Sequence, residues 1–99
     1  MKKIDLLISY DVSTDSEEGQ KRLRKVARAC KNYGQRVQYS VFECRVTQAQ
    51  LEALEAQLQD IMDPKKDNLR IYILHLGREA SLRTYGIDSY IDFDKPLVL

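Results

Sequence analysis

Ile4, Leu6, Ile8 and Tyr10 alternate with Asp5, Leu7, Ser9 and Asp11, the period of two that marks a strand. A polar stretch from Ser13 to Gly19 follows, and Thr14-Asp15-Ser16-Glu17 within it has the spacing of a helix-capping box. Leu23, Val26, Ala27, Cys30 and Tyr33 then recur at helical intervals, with Gly34 where a C-terminal stop is expected. Arg36 to Val46 is dense in β-branched and aromatic residues, as one long strand or two joined by a tight bend. Thr47-Gln48-Ala49-Gln50 is a second capping box, opening a helix with Leu51, Leu54, Leu58, Ile61 and Met62 on one stripe; Asp63-Pro64 ends it. Leu69 to Leu76 is the most apolar strand, the pattern weakens through Tyr85-Gly86, and Pro96 to Leu99 closes as a short extended piece.

The order β-α-β-β-α-β plus a tail predicts an α+β fold, a ferredoxin-like antiparallel sheet with two helices on one face. At 99 residues the chain is expected to form a single domain, residues 1–99, without repeats or an internal linker. Helices cover one side of such a sheet, so the other side should be polar. The last long strand breaks that rule: Leu69, Ile71 and Ile73 take one face, while Tyr72, Leu74 and Leu76 take the other, joined there by Leu7. A homodimer packed through the open sheet face is the expected remedy.

Composition removes several chemistries. His75 is the only histidine, so one chain cannot build a His-rich metal site, and any catalytic triad would depend on that ring. Its mid-strand position reads as packing. Four isolated glycines form no phosphate-cradling loop, and Cys30 and Cys44 fall in apolar-patterned positions suited to inert core thiols. The spacing of Asp92 and Asp94 resembles a metal pair only weakly. No apolar run approaches the ~20 residues of a membrane span. No secretory signal opens the sequence, so the expected compartment is the cytoplasm.

Sixteen cations against fifteen acids leave a net charge of +1, yet seven of the cations lie between Lys21 and Arg36 with no acid among them. On a helix, Lys21, Arg24, Lys25, Arg28 and Lys31 share the side opposite the apolar stripe, with Arg22 beside them. A solvated helix face is the plain reading of such a run. A phosphate-backbone surface is the functional one, and it stands level with the plain reading because no acid on the same helix pairs with the run beyond the first turn. Asp11 ends the first strand just before a Ser/Thr/Asp loop, where it reads either as a turn residue or as a ligand. One carboxylate is a poor cation site, so the second role requires pairing across a symmetry axis.

Tyr10-Asp11-Val12, the Arg/Lys helix, Arg36-Val37-Gln38-Tyr39-Ser40-Val41-Phe42-Glu43 and Asp67-Asn68-Leu69-Arg70-Ile71-Tyr72 together closely resemble the CRISPR-associated Cas-two family, over essentially the whole chain. The resemblance implies a ferredoxin-like homodimer whose C-terminal strand, here about 96–99, docks on the partner's sheet. It implies a magnesium-dependent endonuclease acting on single-stranded RNA or duplex DNA, with Asp11 from each protomer as the metal ligand. Tyr10, Arg36 and Phe42 match positions linked to activity in the family. It further implies a complex in which two dimers of the Cas-one integrase flank one dimer of this protein to insert new spacers. There the small protein holds duplex DNA, with Lys21, Arg22, Arg24, Lys25 and Arg28 as the candidate contacts. Asp15, Glu17 and Glu18 are expected to weaken phosphate contact at the start of that helix. The alternative is a small ligand-sensing or toxin-type ferredoxin-like domain with no CRISPR role, which leaves the cation run unexplained.

Overall fold

The computed structural model describes residues 2–88 and 90–92. Its elements run β1 (Ile4–Asp11), α1 (Glu17–Lys31), β2 (Gly34–Gln38), β3 (Val41–Val46), α2 (Gln48–Ile61), β4 (Asn68–Ile73) and a single turn of helix, α3 (Arg78–Ser81). The strands form one antiparallel sheet in the order β2-β3-β1-β4, the ferredoxin-like arrangement expected from the element order. Pairing in register places Leu6 opposite Cys44 and Ile8 opposite Phe42, so these side chains share the face beneath the helices. Val26, Ala29 and Cys30 of α1 and Leu51, Leu54 and Leu58 of α2 close the core above them. Leu69 and Ile71 of the edge strand β4 pack against that core but remain half-buried.

The Arg36–Val46 stretch resolves into two strands joined at Tyr39-Ser40, with a register shift between Arg36 and Gln38. Several local expectations change. Ser16, not Thr14, caps α1, accepting the Gly19 amide on its hydroxyl at 3.1 Å. The Thr47–Gln50 box forms with both of its hydrogen bonds, at 2.9 and 3.2 Å. Gly34 does not stop α1, which ends at Lys31 with Asn32 as its cap; it opens β2. A β-carbon there would lie 2.3 Å from the Glu43 carbonyl oxygen and 2.5 Å from the Cys44 sulfur, so close strand approach explains the glycine.

β4 ends at Ile73. The chain turns there: the Leu74 amide donates to the Asp5 carbonyl, and the Gly77 amide to that of Leu74. Leu74 and Leu76 therefore do not extend an apolar stripe along the open face, and His75 is an exposed turn residue instead of a packed strand residue. The segment from Gly77 to Asp92 then crosses one end of the open face. The Arg78 amide donates to Asp5 Oδ2, the Arg78 guanidinium pairs with Glu43 and covers the Tyr90 ring, and Gln35 exchanges two hydrogen bonds with the Ile91 backbone. Glu43 consequently points away from the helices yet is only 8% exposed. The strand expected at 96–99, and Asp94, lie outside the described residues. Among the described residues, no helix is long and apolar enough to cross a membrane.

Candidate nucleic-acid and metal site

Asp11 is the last residue of β1, opposite Asn68, and stands exposed on the open face in the half that the Gly77–Asp92 segment leaves bare. Leu7, Ser9, Arg70 and Tyr72 share that half, with Arg70 Nη1 donating to the Tyr72 hydroxyl at 3.1 Å. No hydrogen bond or ion pair engages the Asp11 carboxylate among the described residues, so it is free to meet a ligand. The backbone after it is held firmly. The Ser13 amide donates to Asp67 Oδ1 at 3.1 Å, and Arg22 Nε and the Asp63 amide donate to Asp67 Oδ2 at 2.8 and 2.9 Å. Arg22 and these amides hold the fully buried Asp67 carboxyl below its ordinary range. Asp67 thus locks the turn after Asp11 to α1 and to the start of β4. Its loop position gave no sign of this in the sequence, because two of the three donors, Ser13 and Arg22, come from distant segments.

Tyr10, Arg36 and Phe42 do come together, on the other face of the sheet from Asp11. The Tyr10 and Phe42 rings stack with centroids 6.3 Å apart, and the Arg36 guanidinium lies 5.3 Å from the Phe42 ring and 5.6 Å from that of Tyr39. Tyr10 is buried, and burial raises its phenol pKa against the opposing pull of nearby Arg36. Strand alternation makes this unavoidable: consecutive residues such as Tyr10 and Asp11 point to opposite faces. The Tyr39-Ser40 turn nevertheless lies at the Asp11 end of the sheet, where the Tyr10 amide donates to the Ser40 carbonyl. Burial pushes the Cys30 and Cys44 thiols up to about 12, which keeps them out of nucleophilic chemistry.

The basic helix is not one uniform face. Arg22 is committed to Asp67 and only 15% of its side chain is exposed, which removes it from the candidate phosphate contacts. Lys21 and Lys25 border a cleft against α2 that also holds Glu18 and Asp60. Arg28 and Lys31 border a different groove, with Arg36 and Phe42. Among the described residues, no group of three or more His, Cys, Asp or Glu side chains could cage an ion. One chain therefore offers a cation a single carboxylate at the β1 end.

The family model described as CRISPR associated protein Cas2 matches residues 5–84. The chain belongs to the Cas-two family. It is 55% identical over 94 residues to a protein of Moorella thermoacetica named CRISPR-associated endoribonuclease Cas2 1, covering 95% of this chain and 98% of that one. It is 50% identical to the CRISPR-associated endonuclease Cas2 of Halalkalibacterium halodurans, covering 94% and 97% of the two chains. The crystal structure of Streptococcus pyogenes Cas2 at pH 6.5 superposes with a TM-score of 0.73 at 45% identity, covering 83% of this chain and 99% of that one. These family ties set aside a ligand-sensing or toxin-type domain without a CRISPR role.

Proposed function

We propose that this protein is a CRISPR endonuclease that cleaves phosphodiester bonds in nucleic acid, working as a homodimer with Asp11 at its centre. The observation that carries the reading is the exposed, unengaged Asp11 carboxylate on a backbone that Asp67 holds rigid. The names of the relatives, endoribonuclease and endonuclease, support the reaction class. Magnesium takes one or two carboxylates together with waters and substrate phosphate, so Asp11 and its counterpart in a second copy fit it, whereas one chain alone does not. When bound, the ion supplies a nucleophilic water and neutralises charge on the reacting phosphate. The chain itself contributes the two fixed carboxylates, and the exposed cations Lys21, Arg24, Lys25 and Arg28 for the phosphate backbone. Arg36, with Phe42 and Tyr10 behind it, serves the strand from the other face of the sheet.

In the cell the same dimer works beside the Cas-one integrase in spacer acquisition, holding duplex DNA between two integrase dimers. The bare half of the open face, with Leu7, Tyr72 and Asp11, is where a second copy of this chain packs.

Asp11→Asn tests the reading, because it removes the charge and keeps the shape. With magnesium present, the variant should lose cleavage of labelled RNA or DNA while keeping nucleic-acid affinity and dimer mass. Undiminished cleavage would place the chemistry elsewhere. Lost cleavage with continued spacer integration would identify the cellular role as a scaffold.

A further inference from the structure

The outer edge of β2 faces a groove whose other wall is the last turn of α1. Arg28, Lys31 and Arg36 line it with Phe42, and no carboxylate lines it among the described residues. The cleft on the far side of α1 is different, since Glu18 and Asp60 there alternate with Lys21, Arg22 and Lys25. Arg28 and Lys31 also complement the negative end of the helix dipole, which alone would account for two cations in a last turn. That explanation does not reach Arg36, which belongs to another element and adds a third positive charge to the same groove. Nor does it reach Tyr39, which is 74% exposed in the adjoining turn with the Arg36 guanidinium 5.6 Å from its ring.

We infer that this groove holds the backbone of a single-stranded nucleic acid, with Arg28, Lys31 and Arg36 on successive phosphates and Tyr39 as the stacking platform for one unpaired base. The inference rests on the nucleic-acid reading above and adds the groove and the residues that recognise an unpaired strand. Charge selects a polyanion, because three cations converge where no acid among the described residues offsets them. The aromatic group selects an unpaired strand. A base inside a duplex has both π-faces occupied by its neighbours, whereas a free base gains from stacking on an exposed ring.

The test uses the full chain in EDTA, so that no cleavage intervenes, with fluorescein-labelled oligouridylate, oligothymidylate and a blunt DNA duplex followed by anisotropy across a salt series. Arg28→Ala/Lys31→Ala should lower the magnitude of the single-strand salt slope by about 1.4, at about 0.7 for each phosphate left without its cation. Tyr39→Ala should weaken both single strands about fivefold or more, leaving the slope and duplex affinity unchanged. Lys65→Ala/Lys66→Ala, which removes equal charge from the α2–β4 loop, should leave the slope close to that of the parent. Unequal losses on the two oligonucleotides would assign the site to RNA or to DNA and still support it. An unchanged slope in the Arg28/Lys31 variant, or a Tyr39→Ala loss that is equal on the duplex, would overturn the inference and leave the nuclease reading standing. If the parent chain binds none of the three probes at low salt, the nucleic-acid reading itself fails.

Discussion

The Asp67 carboxylate has no solvent and draws donors from α1, from the turn after β1 and from the end of α2. Removing it with Asp67→Ala orphans the Ser13 and Asp63 amides, which alone costs about 1–3 kcal/mol. The Asp11 turn loosens at the same time. Hydrogen exchange should therefore speed up at Ser13 before the rest of the sheet responds. Asp67 also makes stability depend on acid. Its folded-state carboxyl lies below the usual value near 3.8, held there by Arg22 and the amides. Asp5 lies low as well: burial pushes it up, but Arg45 and the Arg78 amide together outweigh that. Groups of this kind contribute stability above their unfolded pKa and lose it as pH falls through the folded one. Urea midpoints should thus stay level from neutrality to about pH 4 and drop below it. Asp67→Asn should flatten that drop, and an equally steep drop in the variant would show that other carboxyls carry it.

Among the elements, α2 is the most self-sufficient, with a complete capping box and Leu54 and Leu58 fully buried. Thr47→Ala should cost about 1 kcal/mol, the usual value for losing a cap. Leu54→Ala should cost about 3 kcal/mol, since a core this well enclosed cannot collapse around the void. β2 depends instead on its neighbour. Gly34→Ala drives a methyl group into the Glu43 carbonyl and the Cys44 sulfur, so thermal unfolding should show a larger loss than the reduced entropy of the unfolded chain could offset. If Gly34 were a helix stop in the left-handed conformation, Asn would substitute well there; against strand packing it should be worse than Ala.

At the scale of the molecule, the open sheet face divides into two halves. One end lies under the Gly77–Asp92 segment, tied by the Arg78 contacts to Asp5 and Glu43. The other carries Leu7, Tyr72 and Asp11. The homodimer proposed through the bare half would bring two Asp11 carboxylates to one axis, and light scattering at micromolar concentration should report twice the chain mass. A stable monomer would remove the shared metal site with it. Truncation after Asp94 should weaken that dimer if the last residues pass to the partner. Arg78→Ala should separately release the covering segment, with faster amide exchange at Arg78 and Ile91. Unchanged exchange there would mean that the Gln35–Ile91 bonds suffice.

The alternation through Tyr10, the two helical stripes and the capping box at Thr47 determined the element order by themselves. That order led to the ferredoxin-like sheet, because each signal is local and each element must bury its own apolar side. Asp11 at the end of β1 and the inert thiols were legible for a related reason, since they follow from a strand end and from the apolar faces of α1 and β3, whereas Tyr10, Arg36 and Phe42 were grouped only by the family resemblance. The tertiary structure decided the rest. Arg22 looked like its neighbours on the basic helix until Asp67, 45 residues away, claimed it. Gly34 carried the signature of a helix stop until β3 closed against it. Leu74 and Leu76 continued an apolar pattern that the turn at Asp5 ended. In each case the deciding contact joins positions far apart in the chain, and one-dimensional patterning cannot encode which distant backbone or charge will arrive.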